Sequence, residues 1–113
     1  MKYMVLIYNR PGFVDELSEA ERTELFGDVD RIMKELTESG EMVDTRALQG
    51  PEATRTVRVR DGVPAITDGP FIEAKEQFAG YLIVDCASLE RATEIAASWP
   101  DAKWFAMEVR QVL

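Results

Sequence analysis

The sequence has no histidine and a single cysteine, and these two shortages exclude more chemistry than any other feature of its 113 residues. Without an imidazole there is no Ser–His–Asp or Cys–His nucleophile and no side chain that titrates near neutrality unperturbed. One thiol with no histidine removes the usual ligand sets for zinc and redox metals, and an internal disulfide cannot form. Cys86 lies in the apolar run 80–87, where a buried, inert thiol is the default. An oxygen-only Mg²⁺ or Ca²⁺ site lacks a loop of the required spacing. Glycines are scattered rather than gathered into a phosphate-cradling loop. Neither a metal nor a cofactor is therefore expected.

Long apolar runs are missing too. No stretch approaches the ~20 residues of a membrane span, and the apolar opening, residues 1–8, is too short for a secretion leader. The expectation is a cytoplasmic protein that is not bound to a membrane. Basic excess is also absent: 13 Lys and Arg stand against 21 Asp and Glu, a net charge of -8. That sign opposes long-range attraction to a phosphate backbone, so nucleic acid is not an expected partner. Arg55, Arg58 and Arg60 cluster, and read as the solvated face of a strand.

What is present suits one α+β domain spanning residues 1–113. With 46% hydrophobic and 30% charged residues the chain can bury a core without staples. Residues 3–8 form a continuous apolar run that suggests a strand covered on both faces. Asn9, Arg10, Pro11 and Gly12 end it with turn chemistry. Ser18 with Glu21 is a capping box, and Leu25, Phe26, Val29, Ile32, Met33 and Leu36 follow at helical spacing. Gly40 supplies the stop, which predicts a helix over residues 19–39. Residues 42–48 read as a strand. Residues 54–60 and 63–67 flank Asp61-Gly62, the pairing expected of a primed hairpin turn. Residues 78–86 read as another strand with both faces apolar. Ser88 caps a helix with a stripe of Leu89, Ala92, Ile95, Ala96 and Trp99, which Pro100 ends. Residues 103–112 read as the last strand, with Trp104 in the core or at an interface.

The order β-α-β, hairpin, β-α-β predicts a ferredoxin-like fold, an antiparallel sheet with two helices on one face. The apolar character of residues 3–8 and 78–84 on both faces then asks for a partner on the open face. A symmetric homodimer, sheet against sheet, supplies one.

The most informative short run is Asp68-Gly69-Pro70-Phe71. Physically it is a tight turn, with Phe71 reaching inward as an anchor. The run continues as Ile72-Glu73-Ala74-Lys75-Glu76-Gln77-Phe78-Ala79-Gly80-Tyr81, and this longer pattern resembles the DGPF family within the YCII-related superfamily. The opening residues 1–8, the hairpin segment 56–62 and the closing Met107-Glu108-Val109-Arg110-Gln111-Val112 resemble it too. The resemblance implies a dimeric α+β barrel of ferredoxin-like protomers. Relatives also carry a proposed His–Asp active-site pair, which a chain without histidine cannot reproduce. Where many relatives show a histidine before their closing strand, this chain has Lys103-Trp104-Phe105-Ala106. Family members are often encoded beside sigma factors, which makes a sigma factor an implied partner and a regulatory module without catalysis the alternative role.

The residues also mark a place to look for a small-molecule ligand. Asp68 and Glu76 are the candidate catalytic carboxylates, since two carboxylates held together can split their pKa values and act as acid and base. Glu73 and Glu76 would share a side if the segment were helical, with Lys75 among them. Tyr8, Gly69, Pro70, Phe71 and Tyr81 complete the candidate pocket wall. A solvated charged patch beside a turn is the competing reading.

Overall fold

The computed structural model describes residues 1–113. Strand β1 (Lys2–Asn9) is the spine. Its alternation sends Tyr3, Val5 and Ile7 into the core and leaves Met4, Leu6 and Tyr8 half-buried on the opposite face. After a four-residue helix α1 (Phe13–Glu16), helix α2 runs Glu19–Ser39. The capping box forms as its residues dictate: the Glu21 amide donates to Ser18 Oγ at 3.1 Å, and the Ser18 amide to Glu21 Oε1 at 2.9 Å. Strand β2 (Met42–Ala47) leads to the hairpin of β3 (Arg55–Arg60) and β4 (Val63–Asp68), turned at Asp61 and Gly62 with both φ angles positive. Strand β5 (Gln77–Asp85), helix α3 (Leu89–Ser98) and strand β6 (Met107–Gln111) complete the chain.

Four strands make one antiparallel sheet in the order β2-β5-β1-β6, the ferredoxin-like arrangement. Its inner face packs Val5, Leu82 and Val84 against Ile32 and Leu36 of α2 and Ala92 and Ile95 of α3. The hairpin forms a separate two-stranded sheet that projects from the main body. The radius of gyration is accordingly 16.1 Å and the extents 49 × 39 × 18 Å, against about 13 Å for a compact domain of roughly 100 residues.

Two local expectations, the start of the last strand and the direction of Phe71, are corrected, and the open choice at residues 71–76 is resolved. The last strand begins at Met107, not at residue 103, because residues 100–103 wind into a 3₁₀ turn. There the Asp101 carbonyl accepts from the amides of Trp104 (3.1 Å) and Phe105 (2.8 Å). Phe71 points outward and is 70% exposed. Residues 71–76 are irregular rather than helical, so Glu73 and Glu76 do not share a helix face. The Gln77 side chain donates to the Ala74 carbonyl at 2.9 Å, a side-chain bond that competes with helical pairing.

Strands β2 and β5 touch closely at Gly80. A Cβ there would stand 2.6 Å from the Arg46 carbonyl oxygen, so only glycine lets the two backbones meet. At the opposite end of the sheet Cys86 is buried, with its Sγ 3.4 Å from the Ser88 carbonyl.

Candidate functional site

The apolar stripe of α2 is not fully spent on the core. Ile32 and Leu36 are sealed against the sheet, but Phe26 is exposed and Val29 and Met33 are only partly covered. Toward its N-terminus the helix stands off the strands and leaves a cleft of about 350 Å³. Ile7, Phe13, Leu25, Val29, Met33 and Trp99 give it apolar walls, and Gly80 with Ala79 and Ala47 forms part of the sheet side. Phe13 holds α1 in place by packing edge-on to Phe105, ring centroids 5.0 Å apart, and tilted against Trp104 at 6.1 Å.

Two polar groups meet at one end of this cleft. Asn9 continues the inward-facing series Tyr3, Val5, Ile7, and its Nδ2 donates to Asp101 Oδ2 at 3.1 Å. Asp101 is only 7% exposed and is the one buried acidic side chain of the fold. No cation pairs with it. Burial pushes its carboxyl above the ordinary aspartate value, while the Asn9 amide and its own backbone N–H pull the other way. A carboxyl lifted in this manner exchanges its proton closer to neutrality than a surface aspartate does.

The cleft does not end there. Asn9, Phe13, Ala47 and Ala79 also line a depression around the strand ends, and Leu48, Pro51 and Phe78 carry that depression into a groove of about 820 Å³ beside the hairpin. Tyr8, Pro70, Phe71 and Glu76 line this outer groove. Gly69 and Glu73 instead border a shallow neighbouring hollow, together with Pro70. Asp68 and Lys75 are exposed, and none of Asp68, Glu73, Lys75 and Glu76 forms an ion pair. Gly69, at φ 86°, makes the turn that only glycine adopts without strain. It is tied to the hairpin by its amide to the Thr54 carbonyl (2.7 Å) and by Thr56 Oγ1 to its own carbonyl (2.7 Å).

Tyr8 and Tyr81 both lie on the sheet face away from the helices. Tyr8 tilts against Phe78 with centroids 5.9 Å apart, and pairing with the Glu108 carboxylate, aided by burial, raises its phenol. Tyr81 donates to Asp44 Oδ2 at 3.2 Å. The face therefore has an apolar, aromatic centre on β1 and β5, bordered by Asp44 and Arg46 on β2 and by Glu108 and Arg110 on β6.

The Asn9–Asp101 pair escaped the sequence reading. Asn9 sits where turn residues begin, and Asp101 follows a helix-stopping proline, so each has a local explanation. The available signal was positional: an amide occupying the fourth place of an otherwise apolar inward series.

Sequence comparison places these elements among known proteins. The chain matches the YCII-related domain over residues 1–113. It is 32% identical to an uncharacterised protein of Rhizobium meliloti (strain 1021) over 102 residues, 90% of this chain and 82% of that one. Its fold is similar to that of 5-chloro-2-hydroxyhydroquinone dehydrochlorinase from Burkholderia phenoliruptrix AC1100, solved in complex with 2,5-dihydroxybenzoquinone. The TM-score is 0.59 at 14% identity, covering 100% of this chain and 94% of the other. No helix is long and apolar enough to cross a membrane.

Proposed function

The chain belongs to the YCII-related family, and from that premise we propose that it is a homodimer that binds a small molecule in the helix–sheet cleft, with Asp101 as the group that holds or moves a proton there. One observation carries the reading: the only buried acidic side chain lines an apolar cavity and has an amide, not a cation, as its partner. Structural carboxylates inside proteins are ordinarily paired with a charge, whereas a perturbed carboxyl in an apolar pocket is the usual mark of a binding or catalytic site. The likeness in fold to a dehydrochlorinase held with a quinone is a precedent for a ligand on this scaffold and no more than that.

In this reading the groove at Tyr8, Phe71 and Glu76 is the outer mouth of the same site, and a second copy covers it. Support comes from what a lone protomer leaves uncovered: Val57, Val59 and Ile66 on the hairpin, Phe71 and Ile72 beyond it, and the apolar centre of the open sheet face. Contiguous apolar surface of this kind marks a contact, and a self-complementary sheet face closes with a two-fold partner.

Fragment screening by ligand-observed NMR tests the site. Ala47→Phe, at an exposed position on the cleft lining, should abolish binding of the wild-type hits while leaving the melting temperature within a few degrees; unchanged binding would place the ligand elsewhere. Sedimentation at micromolar concentration tests the partner, and a monomer there would remove the covering copy from the proposal.

A further inference from the structure

We infer that the cleft selects an uncharged molecule of one or two rings that presents a hydrogen-bond donor to Asn9 and Asp101, and that it rejects the corresponding carboxylate. This rests on the cleft being the ligand site, and it follows from what each polar group on the lining has left to offer.

The Asn9 amide spends a donor on Asp101 Oδ2. That fixes the amide's orientation against the ionised carboxylate, which only accepts, and it leaves the Asn9 carbonyl oxygen free to accept and the second Nδ2 hydrogen free to donate. Asp101 retains a second oxygen. No side-chain nitrogen or oxygen of the fold is both sealed from solvent and unpaired, so these remaining acceptors face reachable space, and both residues line the cleft. The other polar side chains of the lining are committed. Thr45 Oγ1 donates to the Tyr81 carbonyl at 3.0 Å. Arg46, the lining's one cation, reaches Asp44 Oδ1 at 2.7 Å and the Thr45 carbonyl at 2.7 Å, and its side chain is largely in solvent. The site thus presents two acceptor oxygens, one neutral amide N–H and no free cation.

An anion entering it would find one neutral amide N–H beside two oxygens and no charge to neutralise it, inside a protein of net charge -8. It would also lose its hydration to walls of Ile7, Phe13, Leu25, Val29 and Trp99. A neutral hydroxyl satisfies the acceptors and loses little. An ammonium ion would satisfy them as well, but the cost of desolvating a charge in an apolar cleft offsets what it gains from the Asp101 carboxylate. Size follows from volume. A dry apolar cavity of about 150 Å³ accepts benzene, so about 350 Å³ takes a substituted ring or a fused pair.

A matched pair of probes decides the matter: 4-ethylphenol and 4-ethylbenzoate, titrated at pH 7.5 with amide chemical-shift perturbation as the readout. The phenol should bind at least ten times more tightly than the benzoate, with shifts centred on Val29, Met33 and Gly80. Asp101→Asn, which replaces an acceptor with a donor-bearing amide of the same shape, should shrink that ratio at least fivefold. Equal or tighter binding of the benzoate to the wild type overturns the selectivity while leaving the cleft as the site. Binding of neither probe, or shifts confined to other surfaces, overturns the cleft itself and the selectivity with it.

Discussion

The two ends of the four-stranded sheet are built on opposite terms. At the end where β1 begins, every element is tied down. The N-terminal ammonium meets Asp85 at 2.9 Å and the Cys86 carbonyl at 3.2 Å. The Asp85 amide donates to the Glu41 carbonyl, and Arg91 of α3 grips the Glu41 carboxylate through two nitrogens, each at 2.9 Å. At the other end the chain leaves the sheet for the hairpin, α2 stands off the strands, and the buried carboxyl has only an amide for company. Surface charges are paired at both ends, Arg10 with Glu16 through two contacts of 2.6 Å at the second, but only the second end buries a carboxyl, Asp101, that has no cation beside it. A fold this small separates the two along one axis, with its ion-paired anchor at one end and its cleft and buried carboxyl at the other. It is the stable end that permits the loose one.

The sharpest way to break this contrast is Gly80→Ala. The new Cβ meets backbone at 2.6 Å, so β2 and β5 must part, at a cost of about 1–3 kcal/mol. Hydrogen exchange should then quicken at Arg46 and Ala47 and stay slow at Val84. Uniform acceleration would show that the ends are not separable.

A second, smaller effect comes from Glu41→Gln. Pairing with Arg91 holds the Glu41 carboxyl at about 2, below its ordinary 4.5. Its contribution is therefore fully present above pH 5 and vanishes as the pH falls toward 2. The variant should lose about 1 kcal/mol at pH 7 and match the wild type near pH 2 in urea titrations.

Asp101→Asn should give the smallest change and the opposite slope. Its folded carboxyl is raised, so its stabilising contribution is complete below about pH 4, the unfolded value, and is lost as the pH climbs through the folded one. Relative to the wild type, the variant should gain stability as the pH rises above about 4. Parallel slopes for Glu41→Gln and Asp101→Asn would erase the distinction between the ends.

Legibility in the sequence follows the same division. The anchored end is made of local signals: Gly40 as the stop of α2 and Ser88 as the cap of α3 each act within a few residues, and α2 occupies the span set by Gly40 there and by the equally local Ser18–Glu21 box at its other end. The Asp61-Gly62 turn is equally local. The antiparallel pairing of β1 with β5 and β6 followed from the order of elements and their apolar faces. The open end depends on contacts across long separations. Asn9 and Asp101 are 92 residues apart, and nothing within a short window joins them. Phe26, Val29 and Met33 read as core because periodicity reports a face without reporting how tightly it is met. Residues 103–106 read as strand because Phe105 extends the alternation of Met107 and Val109 backward, while the pull of the Asp101 carbonyl on two amides is invisible in the pattern. Tyr8, Pro70, Phe71 and Glu76 line one groove beside the hairpin, while Asp68, Lys75 and Tyr81 lie outside it.

Cys86 gives the anchored end a clock. The thiol is the only one in the chain, it is buried against α3, and its neighbours are the N-terminal ammonium, Asp85 and Ser88. A thiol-reactive dye added to the native protein can label it only during moments when that end comes apart. Its labelling half-life therefore times the anchor itself, with no probe to introduce and no second sulfhydryl to confuse the trace.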